Sequence, residues 1–177
     1  MFTVMGVPAA AAITLFASLA LAQPASRAPR DSSDALASAA WSALNHCDNP
    51  TSRAIAERCL AARPTDQACL EVAIAARTRM GDFAIAAPYV DRCLAAHPTS
   101  VQCWFARVTL DVHDRRAPDA ERGLAHLRQL APRGLWTTLA AAMVDELAGR
   151  LADAQRGFAR ACRAGQPYAC ARRVRVR

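Results

Sequence analysis

Apolar residues in the second half of the chain fall at the spacing of helical turns. Ala86, Val90 and Cys93, then Ala120, Leu124 and Leu127, then Ala154, Phe158 and Ala161 each put three side chains on one helix face. Every stripe opens with Ala, which lets two helices approach closely, and the larger residue one turn later fills the space beyond. The pattern predicts a stack of paired helices.

The prolines show that the stripes are copies. Pro64, Pro98 and Pro132 are spaced by 34 residues and Pro167 follows after 35, the mark of an internal repeat. The flanks recur as well: Arg58-Cys59-Leu60-Ala61-Ala62-Arg63-Pro64-Thr65 matches Arg92-Cys93-Leu94-Ala95-Ala96-His97-Pro98-Thr99, and Leu130-Ala131-Pro132 is a worn copy. Each unit breaks at its middle. Gly81-Asp82 and Gly149-Arg150 supply residues that close one helix and open the next. Asp48-Asn49-Pro50 and Asp114-Arg115-Arg116-Ala117-Pro118 break the other two units, with Pro tolerated early in a helix because its missing amide has no partner there.

These residues resemble the tetratricopeptide repeat family, whose 34-residue helix-turn-helix units carry a Gly-Asp-Tyr-like turn, a small Ala, an aromatic one turn on, a second Ala and a closing Pro. Gly149, Ala154, Phe158 and Ala161 fit that pattern; so do Gly81-Asp82-Phe83, Ala86 and Pro98, and Trp104, Ala120 and Pro132. The first unit departs from it, with Ser52 in place of the small Ala and no Gly in its turn. The resemblance implies an all-α, right-handed helical-hairpin solenoid of about four units, spanning 31–64, 65–98, 99–132 and 133–167, with a basic helix end or tail at 168–177. It also implies a binding scaffold, whose first helices line a concave groove. Trp41, Glu71, Arg79, Phe105, Thr109, His113, Trp136, Leu139 and Met143 fall on or near that surface, where aromatic and Met side chains suit an apolar peptide segment. Packing of Trp41 and Trp136 between units is the alternative. The Lys and Asn residues of the family's carboxylate-clamp members are missing here.

The cysteines follow the repeat. Cys59 and Cys69 are displaced by 34 residues onto Cys93 and Cys103, so each pair joins the end of one unit to the start of the next across the Pro-Thr corner. Cys162 and Cys170 sit at the matching place after the fourth unit, in a segment that resembles the disulfide-bearing corner of SEL-like repeats. Closing a loop of about ten residues contributes roughly 2 to 3 kcal/mol in the chain-entropy picture. Cys47 is left over, and three readings stand: buried and inert, paired between molecules, or competing with Cys69 for Cys59. No C-x-x-C occurs, and no Cys/His set has zinc-ligand spacing beyond the adjacent His46 and Cys47. Neither a metal nor a cofactor is expected.

Composition agrees with this picture. Of 177 residues 53% are hydrophobic and 21% charged, which excludes a disordered chain, and an Ala-rich sequence with seven Gly favours helices. Val4 to Ala22 carries no charge and ends Ala20-Leu21-Ala22-Gln23-Pro24, which reads as a secretory signal cleaved after Ala22, with a disordered linker over 23–30. No Lys or Arg precedes the apolar run, and an uncleaved membrane anchor is the alternative. Export makes oxidised cysteines plausible and points to a periplasmic or secreted protein.

Charge is unevenly placed. All 15 acidic residues lie at or before Asp153, so the +7 surplus resides in Arg156, Arg160, Arg163, Arg172, Arg173, Arg175 and Arg177. Arg172, Arg173, Arg175 and Arg177 read either as a patch for an anionic surface such as lipid or as a solvated cap on the last unit. Nucleic acid and a small-molecule substrate are not expected partners. His97 reads as a solvated helix end, and Asp111 with Asp114, like Asp145-Glu146, as solvated faces. No nucleophile elbow, phosphate loop or dinucleotide fingerprint is present. The sequence therefore predicts an exported interaction scaffold without catalysis. An envelope-associated structural protein is the second reading, and an enzyme with a dispersed site, or an accessory subunit of one, the third.

Overall fold

The computed structural model describes residues 28–175, with side chains over 34–172. The apolar stretch before Ala22, its expected cleavage point, and the side chains of Arg173, Arg175 and Arg177 lie outside the described residues. Among the described residues there are nine helices and no strand: α1 Ala28–Asn45, α2 Asn49–Ala62, α3 Gln67–Arg79, α4 Phe83–Ala96, α5 Val101–His113, α6 Ala117–Leu130, α7 Leu135–Leu147, α8 Leu151–Arg163 and α9 Pro167–Arg175. Residues 28–30 are helical, which shortens the linker expected over 23–30; Pro29 is compatible with a first helical turn. No described helix is long and apolar enough to cross a membrane.

Consecutive helices pair as α1/α2, α3/α4, α5/α6 and α7/α8, and the hairpins stack through α1, α3, α5 and α7. One turn closes all four hairpins. A residue of positive φ, Cys47, Gly81, Arg115 or Gly149, reverses the chain at the same position of each unit. The next amide then bonds back to the preceding helix: Asp48 to Ala43, Asp82 to Arg77, Arg116 to Asp111 and Arg150 to Asp145, at 2.8–2.9 Å. This is the Schellman arrangement that satisfies terminal carbonyls. Gly supplies the left-handed residue in two units, whereas Cys47 and Arg115 hold it with a side chain.

The apolar stripes form the core as expected. Ala86, Val90, Cys93, Ala120, Leu127, Ala154, Phe158 and Ala161 are fully buried. Ser52 occupies the place of Ala86, Ala120 and Ala154 and is also fully buried, with its hydroxyl unpartnered. The two helices of hairpin three, and likewise those of hairpin four, approach closely because α6 and α8 carry Gly where α4 carries Tyr89. A Cβ on Gly123 would lie 2.7 Å from Val108 Cγ2, and one on Gly157 2.7 Å from Ala142 Cβ.

Three disulfides close corners between hairpins: Cys59–Cys69, Cys93–Cys103 and Cys162–Cys170. The last is displaced by one residue at each end from its place in the repeat, because Ala161 keeps the core position and the chain turns through Gly165 at φ +90° instead of a Pro-Thr corner. Cys47 is exposed, which removes the buried and inert reading: it stands at the outward tip of the first hairpin.

Candidate functional site

The first helices bring most of the expected groove residues onto neighbouring turns, and most of these side chains also tie one hairpin to the next. Glu71 on α3 accepts the Ser100 hydroxyl at 2.8 Å and the Gln67 amide at 2.8 Å. Arg79 donates to the Leu44 carbonyl at 2.7 Å, satisfying the end of α1. His113 stacks on Phe83 with ring centroids 3.8 Å apart, and Phe105 meets Trp136 at 4.7 Å with the planes tilted by 45°. Thr109 returns its hydroxyl to the Phe105 carbonyl at 2.9 Å, as helical Thr often does. Trp41 packs against the N-terminal core cluster while remaining partly exposed.

Leu139 and Met143 do not belong to an open surface. They are 2% and 5% exposed and pack on Ala154, Phe158 and Ala161. Their side of α7 faces α8, so the expectation that they contact a partner is corrected. The open part of the face therefore consists of Trp41, Glu71, Arg79, Phe105, Thr109, His113 and Trp136. At its N-terminal end Asp34, Asp66, Gln67, Ala68 and Glu71 surround a shallow cavity of about 330 Å³.

A second hollow, about 420 Å³, opens between α4, α5 and α6, above Gly123. Trp104 forms one wall, its ring stacked on His126 at 4.2 Å and its indole N–H donated to the Pro98 carbonyl at 2.8 Å. Asp111 forms the floor. It is 2% exposed, so its reading as a solvated acid is wrong: it accepts Arg116 through Nε at 3.2 Å and Nη2 at 2.8 Å. Burial pushes the Asp111 carboxyl above the usual Asp range, and the bonds and charge of Arg116 pull in the opposite direction. Arg107 pairs with Asp91 and Arg122 with Asp119, so the guanidinium groups around this hollow all have carboxylate partners.

The other acidic pair is also structural. Asp145 bonds Arg150 at 2.9 Å, and Glu146 pairs with Arg172, which lies over the Tyr168 ring. Arg172 is thereby held on the body of the last unit, which fits neither a free basic patch nor a merely solvated cap. His97 likewise serves the fold: its Nε2–H donates to the Thr65 carbonyl at 2.7 Å, linking successive corners. Asp66 lies beside Cys59 and Cys69, but both sulfurs are committed to their disulfide.

One of these features has a signal in the sequence that the stripe pattern hides. Arg77 and Asp82 form an ion pair across the hairpin turn, and the same two positions 34 and 68 residues on hold Asp111–Arg116 and Asp145–Arg150 with the charges exchanged. Reading opposite charges at a fixed five-residue offset in the second, third and fourth units would have identified them as turn ties; the first unit has Ala43 and Asp48 there.

No family model and no curated protein matches the sequence. Solved structures do resemble the chain. A thermophilic tetratricopeptide repeat protein of Thermus thermophilus superposes with a TM-score of 0.69 at 15% identity, covering 81% of this chain and 80% of that one. The fold is that of the tetratricopeptide repeat. The pilF protein of Pseudomonas aeruginosa resembles it with a TM-score of 0.66 at 14% identity, over 85% of this chain and 69% of that one. A tetratricopeptide repeat protein of Parabacteroides merdae gives 0.62 at 13%, over 81% and 57%. In tetratricopeptide-repeat terms the first helices are α1, α3, α5 and α7, the second are α2, α4, α6 and α8, and α9 packs on α8 after the fourth unit.

Proposed function

We propose that this chain is an exported interaction scaffold that receives a segment of a partner protein on the concave face of α1, α3, α5 and α7, and that it catalyses no reaction. The observation that carries the reading is the fold itself: a stack of four tetratricopeptide-type hairpins whose first helices carry Trp41 on α1, Phe105 and His113 on α5, and Trp136 on α7. Aromatic side chains arrayed along a rigid face are the usual anchors of protein recognition. Disulfides at three corners, together with the uncharged N-terminal stretch, support an oxidising compartment, periplasmic or extracellular.

The test is selection of peptides from a random display library on the immobilised, oxidised protein. The proposal expects enriched peptides to share an apolar anchor and to lose at least tenfold in affinity on Phe105→Ala or Trp136→Ala, with helix content unchanged. Enriched peptides indifferent to both substitutions, or no enrichment, would contradict it.

A second reading draws on Arg160 and Arg163, exposed at the end of α8 beside the Arg-rich C-terminus. It makes the C-terminal end of the stack a docking surface for anionic lipid. Salt-sensitive binding to anionic vesicles that is lost on charge removal at Arg160, Arg163, Arg173 and Arg175 would favour it.

A further inference from the structure

We propose that the corner between α6 and α7 is the compliant joint of the solenoid, at which the fourth hairpin and α9 detach and open as one cooperative unit while the first three hairpins stay folded. The repeat register shows how this corner differs. The positions that hold Cys59 and Cys69, then Cys93 and Cys103, hold Leu127 and Thr137 one unit later. No disulfide crosses there. The helix cap changes with it: Asp66 accepts the Cys69 amide at 3.1 Å and Ser100 the Cys103 amide at 3.2 Å, whereas Gly134 in the same place offers α7 no side chain.

What replaces the staple is weaker and reversible. The Thr137 hydroxyl, buried, lies 2.7 Å from the Ala131 carbonyl and 3.3 Å from that of Leu127. The core divides in the same manner. The N-terminal cluster contains four bonded cysteines, and the C-terminal cluster is flanked by Cys162. The cluster between them, Val108, Ala120, Leu124, Leu127, Ala140 and Val144, contains none and bridges α5 and α6 to α7, as do Phe105 and Val112 of α5 where they pack on the C-terminal cluster. Opening the other corners stretches a closed covalent loop, while opening this one separates only packed side chains and one hydroxyl. Beyond the joint, α8 and α9 are held together by Cys162–Cys170, so the outer part opens as a unit. The Phe105–Trp136 contact spans the joint, which makes it the place where opening of the fourth hairpin changes the spacing of the groove aromatics.

Hydrogen exchange of the oxidised full chain tests this, with α2 of the first hairpin as the reference for the fourth hairpin. The expected result is that amides of 135–163 exchange together and at least tenfold faster than those of 49–62, and that Leu127→Cys with Thr137→Cys, its bond verified by mass, removes the difference. Equal protection of both hairpins overturns the proposal. So does a difference that survives the added bond. If the double variant does not form its bond, Thr137→Val serves: exchange over 135–163 should rise at least threefold with 49–79 unchanged, and no change in either segment overturns the joint.

Discussion

The buried carboxylate of Asp111 receives Arg116 through two guanidinium nitrogens, and these two residues close the third hairpin at the positions where Arg77 and Asp82 close the second. Desolvation raises the Asp111 pKa above the ordinary 3.8 despite that partner. A carboxyl whose folded pKa is raised binds its proton more tightly in the folded state, so its ionisation works against folding. The penalty is absent well below pH 3.8 and present in full above the raised midpoint. A carboxyl-detected NMR titration should therefore find Asp111 titrating above the ordinary Asp range, and Arg116→Ala should move its midpoint further up. A midpoint below 3.8, or a downward move in the variant, would contradict the assignment.

Gly157 and Gly123 set how closely the two helices approach within the fourth and the third hairpin. Gly→Ala inside a helix ordinarily gains about 1 kcal/mol through propensity. Here a Cβ at 157 meets Ala142 Cβ at 2.7 Å with the Ala142 Cα at 3.3 Å, so the helices themselves must separate. We expect Gly157→Ala to destabilise by about 1 to 2 kcal/mol net in urea unfolding. Gly123→Ala should cost less, since the Val108 methyl it meets belongs to a side chain that can shift.

Cys47 adopts φ +62° at the turn where Gly81 and Gly149 stand in other units. Left-handed backbone costs an L-residue roughly 1 kcal/mol, so Cys47→Gly should raise stability by about that amount while leaving all three disulfides in place. In the native protein the same thiol should react promptly with a maleimide because it is exposed. A thiol that reacts only after unfolding would contradict its position.

Ser52 completes the comparison among units. Its hydroxyl is fully buried without a partner where the other three units have Ala, so Ser52→Ala should stabilise by about 1 kcal/mol, read as a higher urea midpoint with unchanged slope. A lower midpoint would show that the hydroxyl has a partner in solution.

Much of the architecture was legible because the repeat multiplies weak signals. Pro64, Pro98 and Pro132, with the Ala-led stripes, specify helix pairs and their register before any contact is known. Cystine pairing at the first two corners was legible for the same reason. The groove was less so. Helical spacing places Leu139 beside Trp136, yet which of them faces α8 depends on the rotation of α7, and packing on Phe158 determines that. Charged residues misled for a related reason: Asp111, Glu146 and Arg172 look solvent-facing until the partner across the turn or the next hairpin is in place. The compliance of the α6–α7 corner is written in the sequence as Leu127 and Thr137, but only alignment of the units exposes it.

The central claim is a helical-hairpin stack stapled at three defined corners, on which a partner-binding face is built. Its most direct test is a disulfide map of the unreduced protein: intact mass after alkylation, followed by peptide mapping. One alkylated thiol is expected, at Cys47, with cross-linked peptides joining Cys59 to Cys69, Cys93 to Cys103 and Cys162 to Cys170. Seven reactive thiols, or Cys47 linked to Cys59, would contradict it.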